Sequence, residues 1–329
     1  MDAVSEGSPL IAIVGPTASG KSELSLLLAE RLGGEVVNYD SVQVFRGFSV
    51  GSGKLPLRAR RGIPHHLLDF LEPDQVFTAG DYRQRALAVL ADLKQRHRVP
   101  VLVGGTGLYL RALLLGLFDG PARSESVRSR LRSLENRRGR AFLHRMLKRL
   151  DPQTAERIHP SDTQKVIRAV EVCLLSGGPM SRALLQGREG LKDFRILKVG
   201  LNPDRNALNE RIDSRVEWMF ENGLVEETRS TLARPDASRL KPLGALGYRQ
   251  VCSALAGELT MEEALRNTAM ATRQYAKRQM TWFGREPDVN WFRGFGDQVE
   301  TQVQVLDWLA HMGLQSLGTP VADFRLSPC

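Results

Sequence analysis

The sequence predicts an α/β fold: a parallel sheet flanked by helices and interrupted by a helical insertion. Three observations predict it. Short apolar runs at 9–14 (PLIAIV), 35–39 (EVVNY) and 99–103 (VPVLV) read as strands. Apolar-periodic segments at 23–32 and 81–96 read as helices between them, and strand–helix–strand at this spacing means parallel strands joined by crossover helices. From 118 to about 194 no such unit recurs, and 131–150 and 164–175 read as helices.

The elements follow in order. The first strand runs into the glycine-rich segment GPTASGKS, and the helix after it is closed by Gly33 and Gly34. The second strand ends at Asp40 and the third at Gly104-Gly105. Ser176-Gly177-Gly178-Pro179 stops the 164–175 helix. Residues 195–201 (RILKVGL) read as a strand returning to the core, and 206–222, 225–232 and 260–283 as helices. The tail from Phe295 carries one helix and then a Ser/Gly/Pro-containing end. The expected domains are 1–117 with 196–329 as a discontinuous core and 118–195 as the insertion, consistent with a length of 329 residues.

Composition narrows the class. A hydrophobic share of 42% with 25% charged residues supports a sizeable core. No apolar run is long enough to span a membrane, and 10–14 is too short for a signal peptide. Cys173, Cys252 and Cys329 are scattered, with no CxxC, which fits a reducing cytoplasm rather than a disulfide scaffold. The net charge is +9, with 37 Arg against 9 Lys. Arginine suits bidentate phosphate contacts, although codon bias produces the same ratio. Residues 121–150 are sharper: ten Lys or Arg against two Glu. That is either a solvated helical face or a patch for an acidic polymer.

Gly15-Pro16-Thr17-Ala18-Ser19-Gly20-Lys21-Ser22 matches GxxxxGK[ST] between a strand and a helix, the context that gives the pattern meaning. Its amides and the helix N-terminus cradle phosphate, Lys21 reaches the outer phosphate, and the Ser22 hydroxyl can hold Mg²⁺. The core is therefore P-loop NTPase-like. An ATPase would carry a magnesium-holding Asp at a strand end. The 99–103 strand ends in Gly104-Gly105-Thr106 instead, and the carboxylate is Asp40, at the carboxyl end of the second strand. There it can serve as a base toward a second substrate, or simply cap a turn.

Six motifs in order then carry a resemblance: GPTASGKS; Asp40-Ser41-Val42-Gln43; Pro64-His65-His66-Leu67-Leu68-Asp69; Gly104-Gly105-Thr106-Gly107-Leu108-Tyr109; Gly247-Tyr248-Arg249-Gln250; and 271–279 (ATRQYAKRQ). Together they closely resemble the bacterial tRNA dimethylallyltransferases, the tRNA isopentenyltransferase family, from about Leu10 to Trp291. The resemblance implies transfer of a dimethylallyl group from dimethylallyl diphosphate to N6 of the adenosine 3′ of the anticodon, in tRNAs reading codons that begin with U. It implies that the phosphate loop holds a prenyl diphosphate with Mg²⁺, and that the insertion grips the anticodon stem-loop.

It also implies roles for particular residues. Asp40 is the general base, and Lys21, Thr106 and Arg215 complete the catalytic set, with Thr106 at the mouth of the prenyl channel and Arg215 on the diphosphate. Ser41, Val42 and Gln43 line the flipped base. Contacts to tRNA fall to Arg128, to Gln164, Lys165, Val166, Ile167 and Arg168, and to Gly244, Ala245, Leu246, Gly247, Tyr248 and Arg249. A monomer in the cytoplasm is expected.

The chain departs from the family at several points. Phe45 replaces a common Tyr, the usual GTAKP reads Gly51-Ser52-Gly53-Lys54-Leu55-Pro56, and Gly244 stands where some members have Arg. The Cys/His finger of many eukaryotic members is missing, and beyond about 295 no counterpart is clear. Phe45 and Tyr248 can stack on bases or belong to the core. His65 and His66 lack a third ligand at sensible spacing and read as structural. Arg273 and Lys277, four apart on the 260–283 helix, share a face that is solvated or meets tRNA. Three alternatives stand beside this reading: an ATP-dependent small-molecule kinase, supported by the phosphate loop alone; an adenylate isopentenyltransferase, for which the basic insertion is superfluous; and a catalytically silent RNA-binding protein.

Overall fold

The elements form in the expected alternation. The computed structural model describes residues 7–185 and 189–314; the Ser/Gly/Pro end of the tail lies outside the described residues. Strand β1 (Ser8–Val14) leads into α1 (Lys21–Leu32), β2 (Gly34–Asn38) and β3 (His65–His66). Then come α2 (Ala79–Gln95), β4 (Val99–Val103) and α3 (Gly107–Leu115). The insertion contributes α4 (Glu125–Arg138), α5 (Arg140–Leu150), α6 (Pro152–Arg157), α7 (Thr163–Ser176) and α8 (Met180–Leu185). The chain closes with β5 (Phe194–Leu201), α9 (Arg205–Glu221), α10 (Leu224–Leu232), α11 (Tyr248–Leu255), α12 (Met261–Phe283), β6 (Val289–Phe292) and α13 (Val299–His311).

The sheet is entirely parallel in the order β3-β2-β4-β1-β5-β6. From β1 the chain passes to β2, on the β4 side; from β4 it reaches β5, on the far side of β1. The carboxyl ends of β1 and β4 therefore face the crevice where the winding reverses, the usual ligand position in such sheets. The central strands are apolar on both faces because helices cover both. Ile11 and Ile13 of β1 pack with Leu24 and Leu28 of α1, Val101 of β4 and Val305 and Leu309 of α13.

The chain divides into two compact units, Met1–Leu113 with Lys192–Cys329, and Leu114–Leu191. The second unit begins and ends four residues earlier than the expected 118–195. The Leu191 amide donates to the Leu114 carbonyl at 3.0 Å, so its two connecting segments meet at those residues. Its core joins Leu131, Leu143 and Leu147 to Val166, Ile167 and Val170. The single helix expected at 131–150 is two helices. Gly139, at φ 78° and ψ 164°, ends α4 and starts α5. Short α6, α8, β3 and β6 were not legible as periodic runs, nor were α3 and α11, whose sequences read as motifs. Among the described residues no helix is long and apolar enough to cross a membrane.

Candidate active site

The phosphate loop turns sharply between β1 and α1. Gly15 and Gly20 sit at φ 143° and 82°, and Ala18 also takes a positive φ of 63°, a position disfavoured for a residue with a side chain. Gly20 is required for a second reason: a Cβ there would lie 2.7 Å from the Gly296 amide and 2.8 Å from Asp297 Oδ1. The chain after β6 therefore packs directly on the loop, and the Gly296 amide donates to the Ser19 carbonyl at 2.9 Å. Lys21 is buried, with Nζ donating to the carbonyls of Gly15 at 3.0 Å and Pro16 at 2.5 Å.

Asp40 follows β2 at its carboxyl end and does both things its position allowed. Oδ1 accepts from the amides of Val42 at 2.8 Å and Gln43 at 3.2 Å, capping the turn. Oδ2 is aimed at the loop after β4. A Cβ built on Gly105 would stand 3.0 Å from Oδ2, 2.8 Å from Gln279 Nε2 and 3.3 Å from the Tyr275 hydroxyl. The glycine pair that replaces the expected magnesium carboxylate thus makes room for Asp40.

Helix α12 completes this wall. Gln279 Nε2 donates to the Gly105 carbonyl at 2.9 Å, and its Oε1 accepts from the Thr17 amide at 2.8 Å. Tyr275 also donates to the Gly105 carbonyl, at 3.0 Å. One side chain thereby ties the phosphate loop to the β4 loop. Sequence reasoning quoted these residues as a motif without finding their role. The signal was present: Tyr275 and Gln279, four apart, share a face. Arg273 of the same helix ion-pairs with Asp213, and Lys277 is exposed.

Two adjoining cavities open here, of about 640 and 370 Å³. Thr17, Asp40, Ser52, Arg215 and Tyr275 line both. Lys21, Ser22, Gln43, Gly105 and Gln279 line the larger; Ser41, Val42, Gly244, Ala245, Leu246, Gly247, Arg249 and Arg278 line the smaller. Most of the expected site is therefore gathered from far-apart segments. Gly15, Pro16, Ser19, Thr106 and Tyr248 line neither cavity. The Oγ1 of Thr106, a half-buried residue, accepts from the Ser41 amide at 2.9 Å and donates to Ser41 Oγ at 3.0 Å, so it holds the turn after Asp40. Of the two roles open to Tyr248, the structure gives it the core one. It is fully buried, 5.0 Å centroid to centroid from Phe48, and its hydroxyl donates to Glu227 Oε1 at 2.5 Å. Phe45 is core as well. Glu227 further accepts from the amides of Ser49, Val50 and Gly51 at 2.9–3.3 Å, holding the loop that departs from GTAKP. In that loop Gly53, at φ 63°, leaves the space that the Arg215 guanidinium occupies; a Cβ would overlap Nη2. Lys54 reaches Asp69 at 2.6 Å.

The electrostatics are lopsided. Burial, with the neighbouring charge of Arg215 adding to it, pushes the Lys21 ammonium down from 10.5 to about 7. Burial also lowers Arg215. The charge of Asp40 works against both shifts. A buried ammonium and a half-buried guanidinium therefore face one cavity with one carboxylate's field upon them, an arrangement that favours a bound anion.

Comparison with known proteins agrees with this geometry. The family model described as IPP transferase matches residues 43–286. The chain belongs to the IPP transferase family. The tRNA dimethylallyltransferase of Solibacter usitatus is 51% identical over 302 residues, covering 92% of this chain and 98% of that one. The Koribacter versatilis tRNA dimethylallyltransferase is 53% identical over 289 residues, covering 88% and 94%. The crystal structure of a full-length tRNA isopentenylpyrophosphate transferase from Bacillus halodurans is similar at a TM-score of 0.69 and 35% identity, over 93% of this chain and 96% of that one.

The remaining candidate residues of this IPP transferase family member lie in its insertion. Arg128 is mostly buried there, and its guanidinium forks onto Glu171 through Nε and Nη2, both at 2.9 Å. Arg168 meets the same carboxylate at 2.8 Å, as does the Ser124 amide. Arg128, expected to contact tRNA, has its side chain paired with Glu171 within the insertion. Val166 and Ile167 are likewise core residues, so of the 164–168 stretch the exposed side chains are Gln164 and Lys165. In the other unit, His66 bonds Glu35 at 2.6 Å and His65 the Ile63 carbonyl at 2.8 Å, and among the described residues no cluster of His, Cys, Asp and Glu could hold a metal.

Proposed function

We propose that the chain transfers a dimethylallyl group from dimethylallyl diphosphate to the exocyclic N6 of the adenosine directly 3′ of the anticodon, in tRNAs reading codons that begin with U. The observation that carries this reading is Asp40 in the wall shared by a cavity lined by Lys21 and Arg215 and a second cavity with room for a base. The products are N6-isopentenyladenosine and diphosphate.

The larger cavity takes the diphosphate against the phosphate loop, and the smaller takes the flipped adenine between Val42 and the 244–249 segment. Flipping costs a few kcal/mol and is needed because a stacked amine is out of reach. The amine is a weak nucleophile, since its lone pair is delocalised into the ring. As the N6–carbon bond forms, Asp40 Oδ2 accepts the N6 proton, an effect of about 10²–10⁴-fold. The allylic carbon–oxygen bond breaks and its electron pair leaves with the diphosphate. Lys21 and Arg215 stabilise the negative charge that grows there. The phosphate loop at one end and the seated tRNA at the other would keep water from the allylic carbon. Thr106 holds the turn after Asp40 through Ser41, and Gln279 ties the phosphate loop to the β4 loop.

Mg²⁺ fits one arrangement. Ser22 lines the larger cavity, and among the described residues no cluster of three or more His, Cys, Asp or Glu could hold a metal. An ion there would draw its other ligands from phosphate oxygens and water, as Mg²⁺ commonly does, and would neutralise charge on the leaving group. The tRNA is met through the exposed arginines of the insertion, so binding should weaken steeply with salt. A monomer in the cytoplasm completes the proposal.

The test is incubation with dimethylallyl diphosphate and an unmodified tRNA carrying A 3′ of the anticodon, followed by nucleoside mass analysis. A gain of one prenyl group on that adenosine is expected. ATP consumption without transfer would bring the kinase reading forward.

A further inference from the structure

Arg211 has no place in the chemistry above, yet its surroundings are built with care. It lies one helical turn before Arg215 on α9, so both arginines share a face, and both line the larger cavity with Lys21 and Ser22. Its Nη1 donates to both carboxylate oxygens of Asp297 at 2.8 Å. Its guanidinium carbon sits 3.7 Å above the ring of Phe295, which is itself buried. Phe295 and Asp297 belong to the chain after β6; no family counterpart was expected beyond about 295, but the 302-residue match to the Solibacter usitatus relative takes in both. That region is pinned to the phosphate loop by the Gly296–Ser19 backbone bond, and Asp297 presses on Gly20. The Ser19 hydroxyl is buried in the same loop and has no hydrogen-bond partner among the described residues.

Each part has a physical consequence. Stacking on Phe295 fixes the plane of the guanidinium while leaving its edge free to change partners. The ion pair is 38% exposed on the Arg211 side and 37% on the Asp297 side, so solvent screens it and little is lost when it opens. A carboxylate against a phosphate loop repels an entering anion unless a cation covers it. A diphosphate, with more charge and more acceptor oxygens than Asp297, competes well for the same fork.

We infer that Arg211 is a second diphosphate-binding arginine, held on the Phe295 platform by Asp297 and handed to the outer phosphate when the ligand enters. Asp297 thereby acts as an internal stand-in anion. It orients Arg211 beforehand and takes it back when diphosphate leaves. The inference rests on the proposed diphosphate site and adds to it a residue pair, one member of which lies in the tail.

The experiment is calorimetric titration of the full chain with inorganic pyrophosphate in the presence of Mg²⁺, for the parent, Arg211→Ala, Arg211→Lys and Asp297→Asn. Arg211→Ala should bind about tenfold more weakly, and Arg211→Lys should recover part of that loss because it keeps charge without the fork. Asp297→Asn should bind about threefold more tightly. That gain should shrink in the Arg211→Ala background, because the competition it relieves is gone. Unaltered pyrophosphate affinity in Arg211→Ala, or an equal gain from Asp297→Asn with and without Arg211, would overturn the inference and leave the diphosphate site standing. A parent that binds no pyrophosphate would overturn both.

Discussion

Two buried charge clusters, one in each unit, are built alike and end differently. In the insertion, Glu171 is fully buried with two guanidinium groups and a backbone amide upon it. Burial pushes its carboxyl up, but the bonds from Arg128, Arg168 and Ser124 outweigh that and hold it at about 2. In the core, buried Lys21 and half-buried Arg215 line a cavity, and desolvation lowers both. The first cluster is saturated by its own chain and organises a helical core. The second keeps unspent positive charge facing open space. Burial alone therefore does not mark function; a buried charge whose partners are missing from the protein does.

The comparison can be broken at its centre. Asp40→Asn keeps the bonds to Val42 and Gln43 that an amide oxygen can still accept, but cannot take a proton. Transfer should fall by about 10²–10⁴ with tRNA binding retained, measured by single-turnover assays and filter binding. Near-parental turnover would remove Asp40 as the base. In the insertion the corresponding change is Glu171→Gln. It leaves two guanidinium groups without their counter-charge and should destabilise that unit by about 3 kcal/mol in chemical denaturation. Stability from Glu171 is present above its unfolded value of 4.5 and fades as pH falls toward about 2, so the variant should lose less stability than the parent in that window, with Glu35 and the other depressed carboxylates supplying the rest. A variant as stable as the parent would mean that the cluster is not structural.

Smaller effects sharpen the same contrast. Arg215→Lys keeps the charge and loses the fork, so pyrophosphate affinity should drop about tenfold with no change in thermal midpoint of the free protein. The smallest signal is a proton. Lys21 at about 7 is largely neutral at pH 8, and an anion beside it favours the ammonium. Pyrophosphate titrations at pH 8 in buffers of different ionisation enthalpy should show uptake of somewhat less than one proton. Between about 7 and 10.5 the unfolded chain binds more protons at this lysine than the folded one. The free protein should therefore gain stability as pH rises through that window, and bound pyrophosphate should flatten the gain.

Much of this was open to reading in the linear chain, for physical reasons that are local. A phosphate loop needs glycines at positive φ and a Lys-Ser pair at fixed spacing, so Gly15 to Ser22 announce it without any long-range contact. Buried parallel strands are continuous apolar runs, and α12 carries its own capping box in Thr260 and Glu263. Asp40 at a strand end was visible as a candidate, with base and turn cap both open. Only folding showed that its two oxygens divide those roles. The sequence also could not tell that Arg128 would turn inward to Glu171, that Tyr248 and Phe45 would be core, or that Thr106 would bond Ser41. An arginine or a ring looks the same in the chain whether it meets solvent, substrate or a partner 43 residues away, as Arg128 and Glu171 do. The tertiary structure alone brought Gln279 to Thr17 across 262 residues and Asp297 to Arg211 across 86. Local geometry is encoded in neighbouring residues; the partner of a side chain is decided by which surfaces the packed core brings together.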